Sequence, residues 1–154
     1  MTRTQGQGTQ TPSLCWRPIL RISELSLACL PSTPTWARRH VADVLGRWDL
    51  PEVVRENAEL LTSELMTNAI QVAQAADRGH TASVPVVRLR VRLVQASLFI
   101  KVWDPIDAAP VTSDADLLAE SGRGLVIVNA LASAWGFYPT EDGGKVFWAE
   151  LRMP

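Results

Sequence analysis

Glu64 and Asn68 stand four positions apart in a segment, 51–76, that has no glycine and no internal proline. On a helix that spacing puts both side chains on one face, a turn apart. A carboxylate and an amide oxygen so placed can orient a water or ligate a hard cation. Magnesium takes oxygen donors, usually one or two from protein, and completes its octahedron with phosphate oxygens and waters. The same spacing also suits a polar pair facing solvent. Asp104 closes an apolar run just before Pro105. A carboxylate there can accept a hydrogen bond from an exocyclic amine at the bottom of a pocket, or simply begin a turn. Gly122, Arg123 and Gly124 enter the apolar run LVIVNALA, which starts at Leu125. Backbone N–H groups at the positive end of a helix hold phosphates, and glycines let the main chain come close. Glycines also start helices for conformational reasons alone. The triplet matches neither the strand-borne dinucleotide fingerprint nor the phosphate loop ending in Gly-Lys-Ser/Thr.

These residues need elements to hold them. The segment 51–76 carries an apolar stripe of Val53, Val54, Leu60, Leu61, Leu65, Ala69 and Val72, which predicts a long amphipathic helix closed by Asp77-Arg78-Gly79. A shorter helix is expected before it, with Thr33 as N-cap, Pro34 at the first helical position, and Trp36, Val41, Val44, Leu45 and Trp48 at helical spacing. The preceding run, 19–30, reads as a strand leading into a loop. Val87, Leu89, Val91 and Leu93 alternate with Arg88, Arg90 and Arg92, the period of a strand with one wet face. SLFIKVW follows across Gln95-Ala96 as the second arm of a hairpin. Residues 105–121 read as a long loop, of a length that often serves as a functional lid. A short helix and two closing strands around Glu141-Asp142-Gly143-Gly144 complete the chain. The order predicts an α+β two-layer sandwich: a mixed, mostly antiparallel sheet with helices on one face.

The chain has 154 residues, enough for one core, and its 47% hydrophobic and 20% charged residues are ordinary for a globular protein. A net charge of -1 supplies no field to collect nucleic acid or an anionic membrane, so neither is an expected partner. Cys15 and Cys29 lack the spacing of a disulfide framework or a zinc site, and a cytoplasmic location is the expectation. No apolar run is long enough to span a bilayer. Residues 1–13 have no apolar h-region and are expected to be a disordered tail, with a single domain over 14–154.

In order, the motifs resemble the GHKL (histidine-kinase-like) ATPase family, in its anti-sigma-factor serine/threonine kinase branch. ELLTSELMTNAI resembles the family's N box, VWDPIDAAP its first glycine-box region, and ESGRGLVIVNALASAWGFYPTEDGGKVFWAEL its second. The resemblance runs from about residue 60 to the C-terminus and implies a Bergerat-type fold that binds ATP and Mg2+. It implies that Asn68 is the magnesium ligand and Glu64 the general base on an incoming hydroxyl. Asp104 would bind the adenine amino group. Gly122, Arg123, Gly124 and Leu125 would line the phosphates at the lid's edge. The implied partners are a sigma factor and an anti-anti-sigma protein of STAS type, and the implied assembly is a homodimer.

Departures from the pattern carry expectations of their own. Ile106 stands where the first glycine box has glycine, and Asp107-Ala108 where a second is expected, which should stiffen the lid hinge and weaken nucleotide binding. Gln71-Val72 replaces basic residues. The histidines, His40 and His80, fall in a helix and a loop, so the phosphoacceptor is expected on another protein. Two further readings stay open: a nucleotide-gated binding module without catalysis, and a fold that works by protein contacts alone. Trp103, Trp135 and Trp148 are expected in the core, with Trp36 and Trp48 able to meet a partner. Arg88, Arg90 and Arg92 read as a solvated face or a surface for an acidic partner. Lys145 is placed to approach a phosphate, though turn lysines are usually solvated, and His40 reads as a helix-surface residue rather than a ligand.

Overall fold

The computed structural model describes residues 19–76, 83–106 and 124–154. The arginine-interleaved run forms β2 (Val86–Val94), which pairs with β3 (Ser97–Asp104) in a tight hairpin. Gln95 turns the corner at φ 55°, a left-handed conformation. Strand β1 (Leu20–Ala28) pairs antiparallel with β2 on its other side. At the C-terminal end, β4 (Ala134–Pro139) and β5 (Lys145–Arg152) form the second hairpin. Strand β5 joins β3, giving a five-stranded sheet in the order β1-β2-β3-β5-β4. Every described pairing is antiparallel.

Three described helices lie on one face of this sheet: α1 (Thr33–Arg47), α2 (Glu52–Ala76) and α3 (Gly124–Leu131). The two-layer α+β sandwich expected from the element order is the architecture. Period-two alternation decides which side chains meet the helices. Val87, Leu89, Val91 and Leu93 face them from β2, and Leu98, Ile100 and Val102 from β3. Helix α2 answers with Leu61, Leu65, Met66, Ala69, Ile70 and Ala73. Leu61 and Leu65 are 0% and 1% exposed, and burying each contributes about 1.5–3 kcal/mol. These anchors bracket Glu64 in sequence and so fix its backbone against the sheet.

The stripe expected on α2 is too wide. Val53 and Leu60 remain 56% and 43% exposed while Val54 and Leu61 are buried. Adjacent helical residues point about 100° apart, so one of each pair must face away. The start of α1 is also shifted. Ser32 occupies the cap position with no side-chain bond, and Thr33 is the first helical residue. The buried Thr33 hydroxyl instead donates to the Ala28 carbonyl (2.5 Å) and accepts the Leu30 N–H (3.1 Å), tying the end of β1 to α1.

The tryptophans divide by register. Trp135 lies on the helix side, packs against the core and stacks on Phe147 at 5.6 Å. Trp103 and Trp148, expected in the core, sit half-buried on the outward face. The cause is parity: Trp103 follows the inward Val102, and Trp148 precedes the inward Ala149. Arg88 covers the Trp103 ring at 3.9 Å and Arg90 pairs with Glu24, so the basic strand face is the outward one. Trp36 is 56% exposed beside Arg39, whereas Trp48 packs on the core.

His40 is not a free surface residue. It is half-buried on α1 with Nε2 3.0 Å from the Ser23 hydroxyl. Burial lowers its pKa from 6.5, Arg47 adds to that, and Asp43 opposes it. The unfolded chain therefore holds the His40 proton more tightly than the folded one, and stability falls as pH drops below 6.5. Urea midpoints at pH 7.5 and 5.5 should show a smaller acid-side loss in His40→Gln than in the wild type; equal losses would remove His40 from the pH response.

Candidate functional site

Glu64 and Asn68 project half-buried from α2, one turn apart, as their spacing predicts. Helix α3 begins directly over them. A Cβ built on Gly124 would lie 2.9 Å from Glu64 Oε2, 3.6 Å from Asn68 Oδ1 and 3.7 Å from Asn68 Nδ2. Only glycine lets the main chain come this near without displacing the carboxylate. The positive N-terminal end of α3 therefore rests beside a carboxylate and an amide from α2. Leu125 is 2% exposed, packed away at the start of the helix. Gly122 and Arg123 lie outside the described residues, as do Asp107 and Ala108.

A second cluster forms at the end of β3. Asp104 is 3% exposed, one of three buried polar or charged residues among those described. Its Oδ1 accepts the Ile106 N–H at 3.0 Å, and its Oδ2 lies 3.5 Å from Lys145 Nζ. Burial raises the Asp104 pKa, while Lys145 and the Ile106 hydrogen bond pull it back down. The Cys29 thiol is pushed up by burial and, in second place, by the Asp104 charge. Ile106, where the family pattern has glycine, packs against the core and fixes the chain just past Asp104.

The β4–β5 turn clamps this cluster. The Thr140 hydroxyl donates to the Gly143 carbonyl, and the Trp103 indole donates to Thr140 Oγ1 and Gly143 O, both at 3.2 Å. Gly144 adopts φ +78°, and a Cβ there would meet the Asp104 carbonyl oxygen at 2.2 Å. The next residue, Lys145, stands opposite Asp104 in the β3–β5 register. Lys145 is therefore not the solvated turn lysine its place in the sequence suggests. No local signal marks the pairing, since it comes from the register of β5 on β3.

Each cluster has the chemistry one end of a metal-bound nucleotide requires. One amide oxygen, from Asn68, is a sparse donor set that leaves most of a magnesium octahedron to phosphates and waters, with the Glu64 carboxylate beside it. The main chain at Gly124 can come close to phosphate oxygens, and Asp104 is a buried acceptor of the kind an amino group on a base requires. A separate groove of about 260 Å³ on the outward face, lined by Arg88, Arg90, Lys101, Trp103 and Tyr138, includes none of Glu64, Asn68 and Asp104. The fold and site together define an α+β nucleotide-binding domain.

The family model for the histidine kinase-like ATPase domain matches residues 28–150. The chain belongs to that family, whose domains bind ATP, usually with Mg2+. Comparison with curated proteins gives no match. No described helix is long and apolar enough to cross a membrane.

Proposed function

We propose that this chain is an anti-sigma-type protein serine/threonine kinase, which phosphorylates a STAS-type anti-anti-sigma partner and sequesters a sigma factor as a homodimer. The observation that carries the kinase reading is the close seat of Glu64 under Gly124. It puts an accessible carboxylate beside the helix end that would face the transferred phosphoryl group. Mg-ATP supplies the phosphoryl group, and the cation offsets its negative charge. Glu64 takes the proton of the partner's serine hydroxyl as that oxygen bonds to the terminal phosphorus and the bond to the bridging oxygen breaks. Asn68 offers its amide oxygen to the cation, and Asp104 accepts the base's amino N–H. Phosphoryl transfer asks of a protein mainly positioning and charge neutralisation, so this inventory suffices.

A second reading, a nucleotide-gated binding module, is favoured by Ile106, whose packed side chain replaces a hinge glycine. Labelled Mg-ATP incubated with the protein and candidate STAS-type partners separates the two. Label on a partner serine is the expected result. Nucleotide binding with no transfer to any partner would favour the gated module, and folded protein with no nucleotide binding would remove both. Asn68→Ala should weaken Mg-ATP by about tenfold or more, the loss of one polar contact worth at least about 1.4 kcal/mol. Unchanged affinity would take the ligand role from Asn68.

A further inference from the structure

Asp104 is the most buried charge-bearing group described, and both its oxygens are already engaged, one by a main-chain N–H and one by an ammonium. The ammonium is no chance neighbour. Thr140, the Trp103 indole and the positive-φ Gly144 lock the β4–β5 turn onto the end of β3, and that lock sets Lys145 across from Asp104. Lys145 is itself largely covered, its side chain 22% exposed. A nearly dry carboxylate tends to take up a proton, and a protonated carboxyl is a donor as well as an acceptor. The charge state of Asp104 therefore decides what it can recognise.

We propose that Lys145 is a specificity-determining positioning residue, holding Asp104 as an acceptor-only carboxylate that takes a base with an exocyclic amine and rejects one with a carbonyl at that place. This rests on the reading of Asp104 as the base-binding group. Adenine offers the amine, and guanine offers the carbonyl. A site built to accept an N–H rejects a ligand that leaves it facing another acceptor, because the buried acceptor is then unpaired. The other groups facing Asp104 do not supply this charge: Cys29, after β1, is a thiol whose pKa is raised, and Ile106 contributes only its N–H.

The test is titration of ATP, GTP and adenosine between pH 6 and 8 into the wild type, Lys145→Met and Lys145→Arg, with thermal melts to establish folding. In Lys145→Met, ATP and adenosine should both bind more weakly at pH 6 than at pH 8, because without the ammonium only the Ile106 N–H opposes the burial that favours a protonated Asp104. The preference for ATP over GTP should narrow at pH 6, and Lys145→Arg should keep the wild-type profile. Should the Met variant fail to fold, Lys145→Gln carries the same expectation. A neutral variant with wild-type affinity, pH profile and base preference overturns the proposal. So does weakened ATP with unchanged adenosine, which would make Lys145 a phosphate contact. If the wild type binds neither ATP nor adenosine, the reading of Asp104 fails first and the inference falls with it; binding by the wild type keeps the two failures apart.

Discussion

Glu64→Gln is expected to reduce phosphotransfer by about 10²- to 10⁴-fold, the usual contribution of a positioned general base, while leaving ATP affinity close to wild type. Glutamine keeps the length and shape of the side chain, so the tight seat beneath Gly124, 2.9 Å from a built Cβ, is preserved. What disappears is a basic oxygen able to take the hydroxyl proton. Single-turnover transfer to the partner, read beside a nucleotide titration, separates the two effects. Transfer at the wild-type rate would remove the general-base role. A parallel loss of affinity would move Glu64 into the group that holds the metal-nucleotide.

Gly144→Ala is expected to be the most damaging small substitution in the described fold. At φ +78° any Cβ is strained, and this one would lie 2.2 Å from the Asp104 carbonyl oxygen and 2.9 Å from the Trp103 indole nitrogen. The first obstacle is main chain and cannot rotate away, so a loss of at least about 4 kcal/mol is expected. Gly143 is the internal control. It has a similar positive φ, +88°, but nothing within 4 Å of its built Cβ. Gly143→Ala should cost only about 1–2 kcal/mol, the conformational penalty alone. Denaturant melts of the two variants measure the difference, and equal losses would show that the approach to Asp104 carries no weight.

Much of this was legible in the sequence, and the illegible part has a common cause. The long helix, the arginine-interleaved strand and both hairpins follow from short-range periodicity and turn residues, which act between neighbours in the chain. Glu64 and Asn68 share a helical turn, so their juxtaposition was also readable. The pairing of Lys145 with Asp104 was not, because it joins positions 41 apart (145 − 104) through the register of β3 on β5. The same limit explains Trp103 and Trp148: strand residence was visible, but the facing side depends on which neighbours are inward. Nor could the sequence show that Gly124 rests on Glu64, since a glycine before an apolar helix looks the same whatever it packs against.

The sheet order also dictates when the site can come into being. Each hairpin, β2–β3 and β4–β5, closes over a few residues, whereas β3 and β5 are joined only when distant parts of the chain meet. Contacts of long sequence separation carry the larger loop-closure cost and set the slow steps of assembly. A chain that has wound α2 and zipped both hairpins already displays Glu64 and Asn68, yet its Asp104 still lacks Lys145. The half of the site proposed to read the base is thus completed only with the joining of the sheet's two halves, and on that proposal a chain halted short of that step would have no means of choosing its nucleotide.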